Sequence, residues 1–127
     1  MGKLDEADDK ADKSANRLQI ADDKLKFADY LIHRDNFSDY ATAITKHLLD
    51  AANKAVSVNF GLDGTSVSHI LINKKLSEGE KEEREFSGSY LTLWKLAVQP
   101  SPARGDIEKA MARVKTFVSY VKGRQIL

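Results

Sequence analysis

Apolar residues return along this chain at the three-and-four spacing of helices, in four separate runs. The first run is the most regular. Leu4, Ala11, Leu18, Leu25 and Ile32 follow at intervals of seven, and Ala7, Ser14, Ala21 and Ala28 stand three places after the first four. Large side chains in one row and small ones in the other form a seam that a second helix must fill at close range. The pattern predicts a helix from Lys3 to His33. Asp5, Glu6, Asp8 and Asp9 crowd its start, where carboxylates meet the positive end of the helix dipole, and His33 and Arg34 stand at its other end. Such a helix is longer than an ordinary globular one, so its first two turns are expected to project or to dock on another subunit.

A second run, Phe37, Tyr40/Ala41, Ile44, Leu48, Ala51/Ala52, Ala55 and Val58, predicts a helix from Phe37 to Phe60. Asp35 or Asn36 is its expected N-cap, and Gly61, followed by Asp63 and Gly64, its stop. Residues 61–85 read as an irregular or exposed insertion. Thr65 or Ser66 is placed to cap a short helical piece carrying Val67, Ile70 and Leu71. The run NKKLSEGEKEERE, with five acidic and four basic residues, reads as a solvated loop or an exposed helix start. A third helix is expected over Lys81–Val98, burying Phe86, Tyr90, Leu93/Trp94 and Ala97 before Pro100 and Pro102 end it. Ser101 as N-cap, with Pro102 in the first turn, begins a fourth helix. Its stripe is Ile107, Ala110/Met111, Val114, Phe117/Val118 and Val121, and Gly123 is expected to close it.

Four amphipathic helices in 127 residues predict one all-α domain. The expected architecture is an up-down antiparallel four-helix bundle, with the extra helical piece between the second and third helices. Composition narrows the class further. Charged residues at 31% and hydrophobic ones at 42% fit a solvated globule, and a net charge of +1 gives no general attraction to polyanions. The absence of cysteine excludes disulfides and thiolate metal sites. The acidic start is unlike a signal peptide. The longest uncharged stretches, such as residues 64–73, are about half of what a membrane span needs. The expectation is a soluble, cytoplasmic protein without a membrane partner.

Chemistry is sparse. No phosphate-cradling glycine loop, serine elbow or cysteine nucleophile is present. His33, His47 and His69 lack ligand-like partners apart from Asp50, three residues after His47, so no metal and no cofactor are expected. The remaining lead is charge. From Arg104 onward, Arg104, Lys109, Arg113, Lys115, Lys122 and Arg124 face only Asp106 and Glu108, a local excess that reads as lying opposite the apolar stripe. Arg104, Lys109, Arg113 and Lys115 are the candidate contacts for a phosphate-bearing ligand. Tyr90 and Trp94, four apart, fit core or subunit-interface packing better than base stacking.

Two whole segments carry a family resemblance. DYATAITKHLLDAANKAVSVNFG (39–61) resembles the second helix of HEPN domains, and ARGDIEKAMARVKTFVSYVK (103–122) resembles their last helix. The resemblance spans residues 20–124 and implies a helical bundle that dimerises and pairs with a minimal nucleotidyltransferase or binds nucleotide or RNA. Ribonucleases of that family carry arginine, four to six residues, then histidine near the start of the last helix. Here Arg104 is in place, but Lys109, Ala110 and Met111 stand where the histidine should fall, and no histidine follows His69. Acid–base cleavage of RNA needs a group that titrates near neutrality. The expectation is therefore a non-catalytic, homodimeric binding module, with Leu25, Ile32, Tyr90 and Trp94 at the dimer contact. The alternatives are a metal-independent ribonuclease using Arg104 with His69 or Tyr90, and a purely structural assembly protein.

Overall fold

The computed structural model describes the backbone of residues 3–62 and 68–126, and side chains from 13 to 62 and from 68 to 125. Five helices make up this part of the chain: α1 (Lys3–Ile32), α2 (Phe37–Phe60), α3 (His69–Ser77), α4 (Lys81–Ala97) and α5 (Arg104–Ile126). Among the described residues there is no strand. The fold class is all-α, as the periodicity predicts.

The ends of the helices follow local chemistry. Asn36 precedes α2, though its side chain makes no capping bond, and Gly61 closes the helix at φ 64°. That left-handed turn lets the Gly61 and Leu62 amides reach the Val58 and Ser57 carbonyls at 3.4 and 2.9 Å. The expected caps Thr65 and Ser66, with Val67, lie outside the described residues. Ser68 caps α3 instead, its hydroxyl accepting from the Ile70 and Leu71 amides at 3.1 and 3.4 Å. On this helix Ile72 and Leu76 are buried, whereas Ile70 and Leu71 are exposed. Helix α5 begins at Arg104, with the Ala103 carbonyl accepting from Ile107 at 3.1 Å. Ser101 is therefore not its cap; Pro102 is buried in the linker rather than placed in the first turn. Gly123 does not end α5, because it keeps a negative φ and the helix runs on to Ile126.

Pairings across the helices fix their directions. Arg17, Lys24 and Phe27 of α1 meet Ser57, Asp50 and His47 of α2, so rising numbers meet falling ones and the pair is antiparallel. Asp22 and Asp29 of α1 meet Lys122 and Lys115 of α5 in the same sense. Asn53 and Asn59 of α2 meet Tyr90 and Glu83 of α4, again antiparallel. Phe37 and Asn59 of α2 meet Arg104 and Arg124 of α5, which therefore run parallel. The short α3 lies antiparallel on α4, where Ser87 donates to Asn73 and His69 stacks on Trp94.

The core collects the predicted stripes. Leu18, Ala21, Leu25, Ala28 and Ile32 are buried on α1; the side chains of Leu4, Ala7 and Ala11, in the turns expected to project, lie outside the described residues. On α2 burial extends beyond the stripe to Thr45 and Val56, because α1, α4 and α5 all pack on this helix. The Thr45 hydroxyl remains satisfied, donating to the Thr42 carbonyl at 2.8 Å. On α4 the inward register takes Leu96 rather than Ala97, and on α5 every stripe residue is buried. No helix among the described residues is long and apolar enough to cross a membrane.

Candidate functional site

The α4–α5 pair carries an open groove on the surface. Its helices meet through aromatic rings: Phe86 stacks on Phe117 at 4.2 Å with planes 7° apart, and Tyr120 leans on Phe117 at 5.9 Å. Beyond the rings lies an open groove of about 570 Å³ over buried Ala110, with Glu85, Gly88, Ser89 and Thr92 on one wall and Asp106, Lys109 and Arg113 on the other. A side chain added at Gly88 would meet nothing within 4 Å. Glu82 and Thr116 extend the groove toward Tyr120. Among the described residues, Glu82, Glu85, Lys109 and Arg113 enter no ion pair, although every one is exposed.

The four basic candidates do not converge. Lys109 and Arg113 share the groove, whereas Lys115 faces α1 and lies 3.8 Å from Asp29. Arg104 is 3.2 Å from Glu108 and stands over the Phe37 ring at 5.7 Å. A step of about 100° per residue explains the split. It sets Arg104, Lys115 and Lys122 on one flank of the α5 stripe and Lys109 and Arg113 on the other, rather than all opposite it.

Three of the four residues expected at the dimer contact lie inside the single chain. Leu25, Ile32 and Tyr90 are 5%, 1% and 0% exposed within a single chain, so their apolar surface is already covered. Tyr90 donates to Asn53 Oδ1 at 2.6 Å, and burial raises its phenol pKa. Trp94 is half-buried under the His69 ring at 4.6 Å, and its Nε1 has no hydrogen-bond acceptor among the described residues.

The histidines lie apart. His33 Nδ1 is 2.7 Å from the Asp29 carbonyl at the end of α1, and His69 packs on Trp94. His47 lies edge-on to Phe27 at 5.0 Å, its Nδ1 buried without a partner. Burial, then the nearby Lys24 charge, holds the His47 pKa below the usual 6.5, with Asp50 acting the other way. Among the described residues no three His, Asp or Glu side chains gather as a metal site.

Two features escape a sequence reading. Phe27 and Tyr30, on the outer side of α1, are 46% and 57% exposed, and Arg34 lies over the Tyr30 ring at 5.4 Å. Glu83, inside the run read as solvated, is 3% exposed. It accepts from the Glu80 amide at 2.7 Å and from Asn59, with Arg124 3.5 Å away, and so ties α2, α4 and α5 together. Gly79 makes room for that fold-back, since a Cβ there would sit 2.5 Å from Glu83 Oε1. The one signal for it was the spacing Glu80-x-x-Glu83, a capping-box pattern at the start of an apolar stripe. The Tyr120 phenol, beside this network, has its pKa raised by burial and by the Glu83 charge, against the pull of Arg124.

Set beside protein-family models, curated proteins and solved structures, the chain matches none.

Proposed function

We propose that this protein is a non-catalytic, HEPN-like helical module that works in the cytoplasm as a homodimer by binding a macromolecular partner. In this reading α1, α2, α4 and α5 form an up-down antiparallel four-helix bundle, and α3 is the added piece against α4. The alternating helix directions support that arrangement. The observation that carries the function is the α4–α5 groove, whose five exposed charges, Glu82, Glu85, Asp106, Lys109 and Arg113, have no ion-pair partner among the described residues. Such a surface fits another protein, a second copy or a nucleotidyltransferase. It fits nucleotide or RNA less well: Glu82, Glu85 and Asp106 outnumber Lys109 and Arg113 there, and carboxylates repel phosphates.

The ribonuclease alternative lacks a meeting point. Arg104 stands over Phe37 of α2, His69 over Trp94 of α4, and Tyr90 is closed inside the core. Sedimentation analysis of the purified chain, with a parallel incubation with RNA, tests the reading. A two-chain species and uncut RNA are expected. A monomer, or cleavage abolished by Arg104→Ala, would overturn it. A nucleotide panel adds a check: a ligand at one hundred times its Kd stabilises the folded state by about 2.7 kcal/mol, and the charge balance predicts no such shift.

A further inference from the structure

We infer that the α4–α5 face is the surface on which two copies of this chain meet, related by a two-fold axis that runs along the helices. The inference rests on the dimeric reading above and adds the face and the symmetry. The face is acidic on α4, lined by Glu82 and Glu85, and mainly basic on α5, where Lys109 and Arg113 outnumber Asp106. A two-fold contact brings the same patch together with itself, so the patch must be complementary to its own copy.

Such an axis lies in the plane of the face, and charge chooses between its two limiting directions, across the helices and along them. An axis across the helices lays α4 on α4 and α5 on α5, acid against acid and base against base. An axis along the helices lays α4 of one copy antiparallel on α5 of the other, acid against base. Such an axis also keeps every residue at its own height. Phe86 stacks on Phe117, so Glu85 stands level with that part of α5 in both chains. Arg113 is one turn away, about 6 Å along the axis, within reach of its long side chain. Each copy then supplies both halves of the contact, Glu85 to Arg113 of the second copy and Arg113 to Glu85 of the second copy. Gly88, exposed and without a side chain, lets the second copy's helix approach.

Charge reversal tests this. Glu85 and Arg113 are exposed, so Glu85→Arg and Arg113→Glu should melt like the parent chain. Each variant alone places two like-charge pairs in the contact and is expected to weaken dimerisation by about tenfold or more. Mixed together, the two variants restore both pairs and should sediment as a one-to-one dimer. A pairing made only within one chain predicts no recovery on mixing and would overturn the inference. If both variants dimerise like the parent, the face is wrong and the dimeric reading stands. If the parent chain is itself monomeric, both fall. If Arg113→Glu loses binding to a single-stranded RNA oligonucleotide while its dimer is unchanged, the groove is a phosphate contact and the inference fails.

Discussion

Helices α1 and α2 pack closely along their length, whereas α4 and α5 leave an open groove, and residue size explains the contrast. The first pair is rich in small buried residues: Ala21 and Ala28 on α1, with Ala51 and Ala55 on α2. Small side chains let helix axes approach, so many backbone positions come into contact. The second pair meets through the rings of Phe86, Phe117 and Tyr120. Beyond these rings the groove opens between Gly88 and Ser89 of α4 and Lys109 and Arg113 of α5. The close seam contributes stability, and the wide one leaves a surface for a partner.

The contrast can be broken at either seam. The largest loss is expected from Phe117→Ala, about 3–5 kcal/mol, since it removes the ring that stacks on Phe86; chemical denaturation measures it. Leu25→Ala on the close seam should cost about 2–5 kcal/mol. The opposite insult, Ala28→Leu, overfills the α1 seam and should cost about 1–3 kcal/mol. A neutral outcome there would mean that α1 and α2 are not held close by their small residues. Glu83→Ala should cost about 1–3 kcal/mol by leaving Asn59 and the Glu80 amide without an acceptor.

A smaller effect is read by pH. The folded chain holds His47 neutral below the pH at which an unfolded imidazole, near 6.5, takes up its proton. The unfolded state therefore binds more protons as pH falls through 6.5, and stability drops until the folded imidazole also titrates. Above 6.5 this group makes no difference. His47→Phe should flatten that part of the melting-temperature profile, and an unchanged profile would contradict the burial of Nδ1. The smallest effect is Arg113→Ala, within about 0.5 kcal/mol, because its guanidinium is exposed. If Leu25→Ala shifts the denaturation midpoint no more than Arg113→Ala does, the stripe assignment is wrong.

The α2 and α5 stripes were legible because each rests on more than one turn of regular spacing; burial follows the α5 stripe residue by residue and the α2 stripe from Ala41 to Val58. Helix starts set by a single side chain were less legible. Ser68 caps α3, and the residues that helix buries are Ile72 and Leu76 rather than the Ile70 and Leu71 that stood out in the sequence. Glu83 was hidden because a charge run says nothing about which member folds back under a helix end. The groove was half legible. Lys109 and Arg113 stood out as cations, but their acidic neighbours Glu82 and Glu85 come from another helix, and the sequence does not tell which helices stand side by side. Nor does a list of apolar positions tell which of them another chain could still cover; Leu25, Ile32 and Tyr90 are used up at home.

Thiol trapping tests the two-fold face most directly, since the chain has no cysteine to interfere. Gly88→Cys on α4 and Thr116→Cys on α5 are both exposed. Mixed and mildly oxidised, the two variants should form a disulfide-linked pair joining one variant to the other, in excess over either variant linked to itself. No cross-link, or one in which Gly88→Cys joins only to itself, would contradict the packing of α4 on α5 across the two chains.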